Sequence, residues 1–244
     1  MLTPSEMKER TLRLVKEGNY IQGIYNYCDR WCERCQFTTR CLNFESGKDA
    51  PDSKSPELWD YLKNVFEATM LMLNEKMEEM GIDPEDIEKM ELPEQPDPKE
   101  HPLYKKAYNL SFRMHDWLQK NNPGINLAAN DEILPGIKEE NSSFYDSVEI
   151  VYFYNFFISA KIFRALSGTD DSEPDEIQTD SNGSAKIALI AIDRLIAGWS
   201  ILMVNMMEQQ DEILQFLVTL AELRKQTEMV FPLARKFVRP GFDG

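Results

Sequence analysis

Cys28, Cys32, Cys35 and Cys41 are the four cysteines of this 244-residue chain, and all lie in the fourteen-residue stretch CDRWCERCQFTTRC. Their spacing is C-x3-C-x2-C-x5-C. As thiolates, four cysteines form the ligand set of a tetrahedral zinc site or of an iron–sulfur cluster. Zinc draws its sulfurs in to about 2.3 Å, and structural zinc sites commonly use two separated C-x2-C pairs. Here only Cys32 and Cys35 form such a pair. A [4Fe–4S] cube is larger, holds its sulfurs farther apart, and suits closely spaced cysteines along one short segment. The pattern predicts a metal centre with all four cysteines as ligands. A [4Fe–4S] cluster is the first reading, zinc the second, and free or redox-active thiols the third.

Positioning these ligands is the task of the surrounding elements. A helix from about residue 20 to residue 35 would put Cys28, Cys32 and Cys35 at i, i+4 and i+7 on one face. Residues 36–40 would then turn the chain so that Cys41 closes the set. Arg30, Arg34 and Arg40 can offset the charge of a thiolate-ligated centre or lower thiol pKa values. They serve equally well as the solvated side of a helix. Trp31, Phe37 and Phe44 read as a shield against water.

Elsewhere the apolar periodicity is helical, with no convincing alternating strand run. A first helix is expected from Pro4 to about Lys16, with Leu12 and Val15 on its apolar side, and Gly18-Asn19 ends it. Residues 45–55 read as a loop. Ser55-Pro56-Glu57 opens a long helix ending near Gly81, with Leu58, Leu62, Val65, Phe66, Leu73 and Met77 at helical steps. Residues 82–98 form an acidic, proline-punctuated connector with a short helical turn. A helix follows from about His101 to Lys120, and residues 125–141 are irregular. A single long helix is expected from about Ser143 to Leu166, apolar nearly all round and hence the central one. Residues 168–182 read as a mobile acidic loop. A long helix capped by Ser181 or Asn182 then runs from about Ser184 to Met207, and helicity continues, with a bend, through Asp211 to Met229. Arg239-Pro240-Gly241 reads as the end of structure. The fold class is an all-α helical bundle of about five or six helices. Residues 1–50 carry the cysteine segment, and residues 51–244 form the bundle.

The resemblances start from two short stretches. CERCQFTTRC, with an aromatic residue soon after its second cysteine, resembles ligand segments of iron–sulfur proteins. These include the auxiliary clusters of radical-SAM enzymes and the cluster that staples certain PD-(D/E)XK nucleases. C-x3-C-x2-C is also the spacing of the radical-SAM motif itself. The resemblance spans ten residues and implies a cluster-ligand role but no activity. The α/β barrel of the first family and the mixed sheet of the second have no counterpart among the sequence patterns here. CDRWCERC near the start together with FVRPGFD near the end resembles a set of uncharacterised bacterial proteins, which implies no function.

Other chemistry-bearing residues have plainer readings. The two histidines, His101 and His115, lack a glutamate three residues before them, so the Glu-x-x-His pairs of a di-iron bundle are absent. His115 reads as a hydrogen-bonded, partly buried residue. Asp146 and Glu149 suit a helix N-terminus, and Lys161 and Arg164 the other end. Asp193, Arg194 and Asn205 interrupt an apolar helix, as a surface strip or as pocket-lining groups. Met203, Met206 and Met207 read as core packing. No phosphate-binding, dinucleotide, nucleophile-elbow or H-E-x-x-H motif is present.

Composition sets the remaining bounds. Hydrophobic residues make up 42% and charged residues 28%, as in a globular domain. The net charge is −15, and residues 78–100 and 168–182 together carry −14 of it. Nucleic acid is therefore not an expected partner. The two acidic segments are where a basic protein partner would dock, although solvated loops explain them as well. Residues 148–166 are the nearest approach to a membrane span, and Glu149, Lys161 and Arg164 argue against one. The charged N-terminus lacks the apolar core of a signal peptide, so a cytoplasmic location is expected, where thiols stay reduced. A non-catalytic interaction protein with a structural zinc site is the alternative reading of the function. An enzyme with a pocket between bundle helices is a third.

Overall fold

Helix limits follow local capping chemistry in this computed structural model, which describes residues 2–83, 96–121, 142–168 and 176–243. Helix α1 (Pro4–Glu17) starts with a capping box: the Thr3 side chain accepts from the Glu6 amide, and the Glu6 carboxylate accepts from the Thr3 amide at 2.7 Å. Helix α2 (Leu42–Ser46) is short, and α3 (Leu58–Met80) runs up to Gly81. Helix α4 (Pro102–Asn121) follows, then α5 (Ser142–Tyr154), α6 (Phe157–Ser167), α7 (Asp180–Asn205) and α8 (Gln210–Val230). No strand occurs among the described residues. The protein is all-α and built as a helical bundle.

The chain divides into two compact units: Met1–Glu94 with Pro240–Gly244, and Gln95–Arg239. Helix α3 therefore belongs with the cysteine segment and not with the bundle, and the last residues return to the first unit.

The second unit is organised around α7, which packs against α5, α6 and α8, while α4 packs on α6 and α8. Thr179 caps α7 by accepting from the Asn182 amide at 3.1 Å. Ile187, Leu189, Ile192, Leu195, Trp199 and Leu202 of α7 are all essentially without solvent contact. Among the described helices, α7 is the one long and apolar enough by length and composition to cross a membrane, and half of its most apolar window is buried within the protein. That distinction falls on α7, not on residues 148–166. Central position within a helical core accounts for such apolarity.

The single helix expected from Ser143 to Leu166 is two helices, broken at Asn155 and Phe156. Ser111 on α4 donates to the Asn155 carbonyl at 2.6 Å and so takes it out of the helical ladder. Asn155 is buried, and its Oδ1 has no hydrogen-bond partner.

In the first unit α1 packs on α3, with Asn64 donating to the Leu2 carbonyl at 3.0 Å and Arg10 pairing with Asp49 at 2.8 Å. Lys8 also pairs with Glu75. Met7 is the buried residue of α1, whereas Leu12 and Val15, expected on its apolar side, are exposed. On α3 only Ala68 is buried, and Leu62, Val65, Phe66 and Leu73 are exposed. Most of the connector, the stretch 125–141 and residues 169–175 of the expected acidic loop lie outside the described residues, while Asp180, Ser181 and Asn182 of that loop are the first turn of α7.

Candidate metal centre

The cysteine segment is not the helix that its i, i+4, i+7 spacing suggests. It is a chain of three short 3-10 turns, Ile24–Asn26, Cys32–Arg34 and Thr38–Arg40. Local chemistry explains the difference. Gly23 adopts a left-handed conformation, with φ of 74°, ahead of the first turn. The Asp29 carboxylate accepts from the Trp31 amide at 3.1 Å, an Asx turn that competes with helical hydrogen bonding. Between them Arg30 is left-handed as well, with φ of 62°, the one non-glycine residue at positive φ among those described. The segment is closed at its ends by a 3.0 Å bond from the Ile21 amide to the Arg40 carbonyl.

These turns bring all four cysteines to one cavity. Cys28, Cys32, Cys35 and Cys41 line a cavity of about 20 Å3, room for roughly one water, with Trp31, Phe37 and Phe44 among its other walls. The thiols are half-buried and form no disulfide. Two of the sulfurs accept hydrogen bonds from backbone amides two residues ahead: Phe37 donates to Cys35 Sγ at 3.4 Å, and Arg30 donates to Cys28 Sγ. In its thiol form Cys28 also donates to the Tyr25 carbonyl at 3.7 Å. The left-handed Arg30 backbone is thus part of how an N–H is aimed at a sulfur.

Burial pushes the Cys28 thiol up from its ordinary value, and the Arg30 amide offsets part of that rise. Burial also raises Cys32, helped by the nearby charges of Cys28, Cys41 and Cys35. The four sulfurs are therefore close enough to repel one another as thiolates. Yet among the described residues no three histidine, cysteine, aspartate or glutamate side chains converge tightly enough to hold a metal ion. The thiols share a cavity without meeting at a point, and ligating a single ion would require them to turn inward.

The chain matches no protein-family model, no curated protein and no solved structure. Residue chemistry alone therefore carries the argument about function.

A cavity wall that the sequence reading missed comes from the other end of the chain. Phe242 lines the same space and meets the Phe37 ring edge-on, with centroids 5.0 Å apart. Nothing within FVRPGFD or CDRWCERC says that the two stretches touch.

The remaining candidates have structural roles. His101 Nδ1 accepts from the Leu103 amide at 3.1 Å at the start of α4, and the His115 ring meets that of Phe156 at a tilt, with centroids 5.3 Å apart. Arg164 makes a two-point contact with Asp180, at 3.0 and 2.7 Å. Asp193 pairs with Arg224 and Arg235, and Arg194 donates to the Tyr154 hydroxyl. Lys161 is buried over the Phe157 ring, while Asp146 is exposed and Glu149 half-buried. Asn205 bonds back to the Ile201 carbonyl at 2.7 Å. Met207 is 76% exposed, so it is no part of a core. Arg34 lies over the Trp31 ring at 4.2 Å. A cleft of about 320 Å3 along α4 and α8 is lined by Arg113, Asp116, Trp117, Lys120, Glu212, Gln215 and Phe216. Its walls hold no nucleophile beside a base, and Trp117 donates to Glu212 at 2.9 Å.

Proposed function

We propose that Cys28, Cys32, Cys35 and Cys41 hold a [4Fe–4S] cluster that cross-links the first unit and serves a structural or redox role. The observation that supports this most is one cavity walled by all four cysteines of the chain and by aromatic rings. Two further points support a cluster. Backbone amides donate to Cys28 and Cys35, and hydrogen bonds to ligand sulfurs stabilise their negative charge and tune cluster potentials. The ligand stretch also resembles known cluster segments. When bound, such a group supplies a four-point covalent staple and one-electron chemistry.

A second reading, a structural four-cysteine zinc site in a non-catalytic interaction protein, is favoured by the narrowness of the cavity interior. The deciding experiment is purification without oxygen, followed by iron, sulfide and zinc analysis and a visible spectrum. About four irons with matching sulfide and broad visible absorption are expected. Stoichiometric zinc without colour would replace the cluster by the second reading. Neither metal would leave the cysteines as free thiols.

A further inference from the structure

The C-terminal residues reach the cysteine cavity through a contact that tolerates little change. Gly241 is left-handed, with φ of 77°. A Cβ on it would stand 2.9 Å from Ile21 Cδ1 and 3.2 Å from Ile24 Cδ1. Ile24 is itself buried, so it has little room to yield. Glycine at 241 lets the backbone press against this floor, and the next residue, Phe242, then reaches the cavity wall. Its ring rests on Phe37, the residue whose amide donates to Cys35 Sγ. One side chain therefore joins the chain terminus to the hydrogen-bonded sulfur shell.

We infer that Pro240–Asp243 is the closing wall of the cysteine site, with Phe242 as the shield and Gly241 as the residue that seats it, and that this segment governs access of water, oxygen and chelators to the four sulfurs. The inference rests on the metal-site reading only for what is shielded. Access to the thiols exists as a property whether or not they bind metal.

The Phe242–Phe37 ring pair and the tight glycine contact are among the contacts that hold the wall. A short segment of this kind opens locally at a cost below that of unfolding the whole chain. An edge-to-face aromatic pair adds to the apolar area that the ring buries, so removing the Phe242 ring speeds exposure of the sulfurs by roughly tenfold.

The test uses the full chain, stripped of metal and fully reduced, with iodoacetamide as the probe and mass spectrometry to follow each cysteine. Phe242→Ala is expected to raise the modification rate of the cavity cysteines about tenfold, and Phe242→Leu, which keeps apolar bulk but loses the ring pair, to raise it by less. Gly241→Val leaves the ring in place but moves its seat, and is expected to act like Phe242→Ala. Equal rates in the parent and both Phe242→Ala and Gly241→Val would overturn the inference. Should either variant fail to fold, amide exchange at Phe242 of the parent decides. Protection from exchange supports a seated wall, and exchange at the rate of an unstructured peptide refutes it. Metal analysis is a separate readout, so failure of the metal proposal and failure of the shield proposal are distinguishable.

Discussion

The two units bury their apolar residues very differently. Around α7 the second unit has a continuous core in which Leu110, Met114, Leu118, Ile158, Ile162, Leu189, Leu195 and Trp199 are almost without solvent contact. Among the described residues of the first unit, only Met7, Ile24 and Ala68 are buried apolar residues, while Trp59, Phe66 and Met80 on α3 are exposed. A unit with so little core needs another source of cohesion, and in small folds that source is commonly a metal or a set of covalent bridges. The four cysteines sit in the unit that lacks the core. The second unit needs no such staple, and it contains no cysteine.

The contrast is most severely tested by removing the proposed staple. Stripping the metal, or the substitution Cys32→Ser, is expected to lower amide protection and melting temperature across the first unit without unfolding it outright, and to leave α4–α8 intact. Ligation at a four-ligand structural site is worth on the order of 10 kcal/mol, so the effect is large. Amide exchange resolved by unit checks it: loss of protection confined to the first unit sustains the comparison, and equal protection in both removes it. Next in size, Leu195→Ala is expected to cost about 2–5 kcal/mol in urea unfolding. Its counterpart Leu62→Ala on the exposed face of α3 is expected to cost less than about 0.5 kcal/mol. A large cost at Leu62 would mean that this face is covered in solution. A smaller effect is expected at the helix break. Ser111→Ala leaves the Asn155 carbonyl without its partner and should cost about 1–3 kcal/mol, with α5 and α6 still separate helices.

The mildest prediction concerns pH. Cys28 and Cys32 are both raised, chiefly by burial, so the metal-free fold holds these protons more tightly than the unfolded chain does. That contribution is fully present below the ordinary thiol pKa of about 8.5 and is lost as pH rises through the raised folded values. Metal-free first unit should therefore melt at lower temperature above that range, with the second unit unaffected. Metal loading runs the other way and strengthens as pH rises, because ligation releases the thiol protons. A melting profile of the metal-free first unit that is flat from pH 7 to about pH 10 would argue against the buried-thiol account.

Helix limits were legible at Pro4 with Glu6 and at the Gly81 stop, but the start of α7 lies earlier than the expected cap at Ser181 or Asn182, because Thr179 caps it and those two residues are already helical. The cysteine segment was misjudged because i, i+4, i+7 spacing outweighed the local turn formers Gly23, Asn26 and Asp29. The break at Asn155 was invisible in an apolar run, since the hydroxyl that meets the Asn155 carbonyl lies on another helix. Leu12 and Val15 showed helical spacing, but periodicity does not say what stands opposite.

By itself the sequence determined the all-helical class, the confinement of every thiol to one stretch, and the segregation of negative charge into two segments. These rest on composition and on interactions between residues a few positions apart. Only the tertiary structure decided that α7 is the central helix, that α3 belongs with the cysteines, and that Phe242 walls their cavity. Those outcomes depend on contacts between residues distant in the chain, where shape, the tight seat at Gly241 and the burial of particular faces choose one arrangement. No short-range pattern encodes which distant surface a residue will meet.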